Sequence, residues 1–132
     1  MIIRKVVLMF ALSLTCSSAM AEWTKFHEYT KATVYVNLAT IQRDGSLVKM
    51  WSMSDYKSRQ YTEQKESYRS IKSQAEYDCN ESTRRTVSIT LYSGKMSNGD
   101  VVYSNAYFDK PWIPVVIGSI EGDELELACR NQ

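Results

Sequence analysis

From Ser67 to Cys79 the chain alternates with a period of two. Ile71, Ser73, Ala75, Tyr77 and Cys79 fall on one side, and Lys72, Gln74, Glu76 and Asp78 on the other. Successive side chains of a strand point to opposite faces, so this run predicts a strand with one buried and one solvated row. Cys79 ends the buried row. Thr86 to Tyr92 alternates again, with Val87, Ile89 and Leu91 expected inward and Thr86, Ser88, Thr90 and Tyr92 outward. Leu47 to Tyr56 carries apolar residues on both sides near Met50 and Trp51, which predicts a central strand.

Turn chemistry punctuates these runs. Asp44-Gly45 and Ser97-Asn98-Gly99-Asp100 are tight-turn signals. Ala32–Val36 and 101–107 read as further strands, and Trp23–Tyr29 as a short mixed one. Ser58–Gln64 is polar and predicts a loop, and Pro111-Trp112-Ile113-Pro114 predicts a connection. Ser119–Cys129 is different in kind. Ser119 is a candidate N-cap, and acidic residues follow it in the first turn, where they favour the helix dipole. Leu125, Ala128 and Cys129 lie at helical spacing on one side. Strands followed by one helix predict an antiparallel α+β domain, with the helix laid on the sheet.

The N-terminus predicts the compartment. Arg4 and Lys5 precede an apolar run, Val6–Cys16, and Ala19-Met20-Ala21 is a small-x-small site. This pattern predicts a signal peptide over residues 1–21, cleaved to leave a single domain over 22–132. The run falls short of the roughly 20 apolar residues of a membrane span. Ser13-Leu14-Thr15-Cys16 offers a second reading, a lipoprotein box, although Thr15 stands where a small residue is wanted. Cleavage after Ala21 removes Cys16 and leaves Cys79 and Cys129. An exported chain meets an oxidising compartment, so the two are expected to bridge. A pair of free thiols or a metal pair is the alternative, though neither cysteine has a His or Cys at ligand spacing. A bridge closing a loop of about 50 residues stabilises by about 4 kcal/mol in the chain-entropy model.

Charge and motif content narrow the function classes. Loss of Arg4 and Lys5 takes the formal net charge from +1 to −1, which gives no general attraction for nucleic acid or a membrane surface. His27 is the single histidine, and no nucleophile is placed beside it. The sequence carries no G-x-S-x-G elbow, phosphate-cradling glycine loop or H-E-x-x-H pair. The expectation is a non-enzyme with no cofactor and no metal. Asp55, Glu76 and Asp78 read as ion-paired or solvated carboxylates.

Six blocks in order carry a family resemblance: TIQRDG (40–45), VKMWSMSDYK (48–57), EYDC (76–79), YSGKMSNGDVVYS (92–104), PWIPV (111–115) and GSI…AC (118–129). Together they resemble the bacterial surface-adhesin protein E family. The resemblance implies a six-stranded antiparallel sheet with a C-terminal helix fastened to it by one disulfide. It also implies a bacterial surface protein that binds host extracellular-matrix or plasma proteins such as vitronectin, laminin or plasminogen, with a homodimer as one assembly. The alternative is a small periplasmic or envelope interaction protein with no host ligand. Location is accordingly the periplasm or the cell surface and outer membrane.

The aromatic content points to where binding would occur. Most of the nine tyrosines and three tryptophans suit a core or cross-strand pairs. Tyr68 and Tyr92 instead fall on the polar side of their strands, where tyrosine gives contact area at low entropy cost. Tyr68 and Lys72 are expected to face out, with Arg84 and Arg85 in the turn after Cys79. These four residues are the candidate protein-binding site.

Overall fold

The structure, a computed structural model, describes residues 23–130. The expected signal peptide, the expected cleavage site and Cys16 lie outside those residues. Seven strands form among them: β1 (Thr24–Glu28), β2 (Ala32–Asp44), β3 (Leu47–Tyr61), β4 (Ser67–Asp78), β5 (Thr83–Tyr92), β6 (Val101–Ala106) and β7 (Ile113–Pro114). One helix, α1 (Ile120–Cys129), follows them. All strand pairs are antiparallel, in the order β1-β2-β3-β4-β5-β6, and β7 adds to β5 beside β6. The expected antiparallel α+β architecture is therefore present, with a seventh short strand.

Several boundaries differ from the sequence reading, for identifiable reasons. β3 runs on to Tyr61 through the polar Ser58–Gln60 stretch, because backbone pairing with β4 continues there, at Gln60↔Tyr68 and Tyr61↔Ser67. Hydrogen bonds of this ladder need no apolar side chains, so composition hid them. The Pro111–Pro114 connection contains β7. Pro114 occupies an outer position on β5, where its missing N–H costs no ladder bond. Gly45 turns the β2–β3 hairpin with φ +60°, a conformation cheap only for glycine, as the Asp44-Gly45 signal predicts.

The two faces of the sheet are covered differently. Val36, Val48, Met50, Ala75 and Tyr77 are buried on one face, under Ala128 of α1. Phe26, Ile41, Leu125 and Leu127 pack around this cluster. Ser119 caps the helix as expected, accepting from the Gly122 N–H at 3.0 Å, with Glu121 and Asp123 in the first turn. At its other end Cys129 is bonded to Cys79, their Cα atoms 5.7 Å apart. The bridge resolves the choice left open by the sequence: both cysteines are spent in a staple between helix and sheet. Arg43 also reaches the end of the helix, donating to the carbonyls of Ala128 and Arg130.

The opposite face is covered over only part of its area. The 93–99 segment folds over Met53, Asp55 and Ser70. Ser70 Oγ donates to Gly94 O at 2.7 Å and accepts from Ser97 N at 2.9 Å. Met96 N donates to Asp55 Oδ1 at 2.9 Å. Gly99 closes the segment with φ +81°, and a Cβ there would stand 2.4 Å from Ser93 Oγ. β3 shows the consequence in its burial: Val48 and Met50 are buried toward the helix, whereas Met53 and Asp55 are buried toward the loop.

Candidate protein-binding face

Register decides where each candidate residue points. The β4–β5 hairpin pairs Asp78 with Thr83, hence Tyr77 with Arg84 and Glu76 with Arg85. Arg84 therefore lies on the helix face and Arg85 on the opposite, open face. Both sit inside β5 rather than in the turn, because strand pairing begins at Thr83. A register shift at Gln74/Ala75 sets Ser88 opposite Gln74 and Thr86 opposite Ala75. The shift inserts Val87 as an extra residue, so Thr86 shares the helix face with Ile89 and Leu91. The simple alternation expected over Thr86–Tyr92 fails at that point.

Arg84 belongs to a buried polar cluster. Tyr77 OH donates to Glu124 Oε2 at 2.9 Å beneath α1, and the Arg84 guanidinium lies 5.9 Å from the Tyr77 ring centre. Glu124 is only 6% exposed. Desolvation raises its carboxyl above the ordinary range, while the Tyr77 hydrogen bond and the Arg84 charge oppose the rise. Burial likewise raises the Tyr77 phenol, with the neighbouring Glu124 adding to the effect. Sequence reasoning placed acidic residues at the exposed start of the helix and missed Glu124. Its signal is present, since 124 and 128 are one helical turn apart and Ala128 faces the sheet.

Arg85 is committed on the open face. Its Nε and Nη2 both contact Glu76 Oε1, at 2.8 and 2.7 Å, and its guanidinium stacks 4.3 Å from the Trp112 ring centre. Glu76 is 7% exposed, so the row expected to be solvated is closed at this end. Lys72 shares the face, its Nζ 5.0 Å from the Trp51 ring centre. Tyr68 packs edge-on against Tyr56, centroids 5.9 Å apart, and is half-buried rather than fully exposed. Thus Tyr68, Lys72 and Arg85 lie on one face and Arg84 on the other.

The remaining carboxylates have local duties. Asp55 anchors the 93–99 segment, with Lys95 3.9 Å away, and Asp78 accepts from the N–H groups of Asn80 and Glu81. His27 lies against Tyr29, ring centroids 4.2 Å apart. Among the described residues no group of three His, Cys, Asp or Glu side chains is arranged to hold a metal, and no helix is long and apolar enough to cross a membrane.

A single antiparallel sheet, covered on one side by a disulfide-stapled helix and carrying Lys72 and Arg85 over tryptophan rings on the other, defines a small α+β domain. The family model for surface-adhesin protein E matches residues 23–130, and the chain belongs to that family. A solved structure of Haemophilus influenzae protein E superposes with a TM-score of 0.60 at 13% identity, covering 85% of this chain and 88% of that one. A second crystal form gives 0.57 at 13%, covering 82% and 97%. Protein E from non-typeable Haemophilus influenzae gives 0.54 at 14%, covering 83% and 85%. At such identity the likeness is one of fold. No curated protein sequence matches the chain.

Proposed function

We propose that this protein is an exported, non-catalytic bacterial surface adhesin whose ligand is a host extracellular-matrix or plasma protein. Membership of the surface-adhesin family carries the reading. The open face supports it: Tyr68 and Lys72 present aromatic area and positive charge on one side of the sheet, beside Arg85, which is paired with Glu76 and stacked on Trp112, a combination suited to protein contact. Arg84 is tied to the cluster under the helix and contributes through the fold.

Protease shaving of intact cells, followed by surface plasmon resonance against vitronectin, laminin and plasminogen, tests the proposal. Release by shaving and saturable binding to at least one of the three are expected. A protein spared by shaving and silent toward all three belongs instead to the periplasm as an envelope interaction protein.

A homodimer is also proposed, through β6. This edge strand, VVYSNA, carries no charge or proline, and Val101 and Tyr103 are exposed. Unguarded edges invite another strand. The other edge, β1, is guarded by charge, bearing Lys25 paired with Glu28. Light scattering of wild type and Val101→Lys is the check: a dimer converted to monomer supports the pairing, and an unchanged mass removes it.

A further inference from the structure

Beyond the adhesive face, a groove on the same side of the sheet has a chemistry of its own. It crosses the strands at the end where Lys49 pairs with Glu76 and Glu76 with Arg85. Two adjoining hollows, about 380 and 230 Å³, share Lys49 and Glu76. The first extends to Gln74, Val87, Ser88, Ala106 and Phe108; the second extends to Gln42 and Asp44. The larger falls at the lower end of ligand-pocket size, about 300–1,000 Å³, and the smaller adjoins it.

We infer that this groove binds a neutral oligosaccharide built of N-acetylated amino sugars. Hydrogen-bond capacity is the first reason. Both Arg85 contacts fall on Glu76 Oε1, which leaves Oε2 to accept from a ligand. The side chains of Gln42, Lys49, Gln74 and Ser88 make no hydrogen bond to another described residue, so amide, ammonium and hydroxyl groups line one trough with their capacity unspent. Sugar hydroxyls both donate and accept, and so match a mixed set of this kind.

Charge is the second reason. Lys49 and Arg85 are offset by Glu76 and Asp44, and Arg43, which also lines the second hollow, spends its guanidinium on the Ala128 and Arg130 carbonyls at the end of α1, so the trough presents little net charge to favour a polyanion. The third is the apolar corner. Val87 and Ala106 line the same hollow as Gln74 and Ser88, so an acetamido group there would meet apolar atoms for its methyl and polar ones for its N–H and C=O. Phe108, 88% exposed at the rim, offers a ring face for the C–H side of a pyranose. A peptide fits less well. Extended peptides gain affinity by adding to a sheet edge, and this trough lies largely over β3 and β4, which are paired on both sides, while β5 is paired outward to β6 from Ser88 on.

The site does not depend on the adhesive reading, because it is defined by the ligand's rings rather than by host or envelope origin. The test is an NMR and calorimetric titration of the oxidised protein, purified from exporting cells, with the β-1,4-linked N-acetylglucosamine trimer. Saturable shifts confined to residues near Lys49, Gln74, Glu76, Ser88 and Phe108 are expected. The glucose trimer, which lacks the acetamido group, should bind about tenfold more weakly. Gln74→Ala and Ser88→Ala, both at half-buried surface positions, should each weaken the amino-sugar trimer by about tenfold while leaving the melting temperature in place. Glu76→Gln is avoided as the primary variant, since it also unpairs Arg85. Absence of saturable shifts, shifts elsewhere, affinity indifferent to both variants, or stronger binding of a heparin fragment or an acidic peptide at these residues overturns the inference. Vitronectin, laminin and plasminogen binding, measured with enzymatically deglycosylated ligands, reports separately on the adhesive face.

Discussion

The two faces of the sheet solve the same burial problem with different means. On the helix face a ten-residue helix covers Val36, Val48, Met50, Ala75 and Tyr77, and a covalent bond pins its end. On the open face a short loop, 93–99, covers Met53, Asp55 and Ser70, held by hydrogen bonds. The rest of that face stays reachable and carries Lys72 on Trp51 and Arg85 on Trp112. One helix cannot shield both sides of a single sheet. Covalent closure of one side leaves the other available for binding.

Removal of the staple is the strongest way to break this contrast. Cys129→Ser should cost about 2–5 kcal/mol. Hydrogen exchange should rise first in Ile120–Cys129 and in the strands beneath, while protection around Ser70 and the 93–99 segment persists until global unfolding. Uniform loss of protection on both faces would show that the helix face is not a separately closing unit.

The loop-covered face should answer to a smaller change. Ser70 is fully buried and serves Gly94 O and Ser97 N at once. Ser70→Ala leaves both groups unpaired, at about 1–3 kcal/mol. Denaturant melts should show that loss, with exchange quickening at Met96 and Ser97 and little change in α1. An effect under about 0.5 kcal/mol would mean that the loop is held chiefly by Asp55 and Met53 rather than by Ser70.

Glu124 sharpens the comparison through pH. Its carboxyl is raised in the folded state, chiefly by burial, against an unfolded value of about 4.3. Such a group contributes stability that is complete below the unfolded value and is lost as pH rises through the folded one. The groups facing it are Tyr77 and Arg84 from the sheet and Glu121 from its own helix. Glu124→Gln keeps an acceptor for Tyr77 without the buried charge. It should flatten the fall in stability between acid and neutral pH and raise neutral stability by about 1 kcal/mol. Parallel pH profiles for the variant and wild type would refute this account of the helix face.

The helix face was the more legible of the two in sequence. Period two in Ser67–Cys79, the Ser119 cap and the even cysteine count each rest on local chemistry, and all three meet in the Cys79–Cys129 staple. The open face was harder, because its character depends on register. The Val87 insertion shifts the phase of β5, and a four-residue turn settles that Arg84 and Arg85 diverge. A hairpin count from Asp78 and Thr83 would have found the Glu76–Arg85 pair. Nothing in the local pattern marks Asp55 and Ser70 as anchors, because their partners lie 24 to 41 residues away in a loop.

The smallest expected effect on stability is also the most direct probe of the binding role. Lys72 is half-buried on the open face, with its ammonium over the Trp51 ring. A cation–π contact at such a site contributes about 0.5–1 kcal/mol. Lys72→Ala should therefore shift stability by no more than that, and the fold should be intact. Arg85→Ala makes a poor probe by contrast, since it strands the buried Glu76. If the open face meets an acidic surface on a matrix or plasma protein, Lys72→Ala should weaken that binding severalfold, mostly through a slower association rate. The deficit should shrink as salt is raised from 0.1 M to 1 M, because the Debye length falls from about 10 Å to about 3 Å. Lys25→Ala, at the β1 edge where Lys25 pairs with Glu28, is the matched control and should change neither rate. Equal effects of the two substitutions would mean that general charge steers the encounter, and the open face would lose its claim as the binding surface.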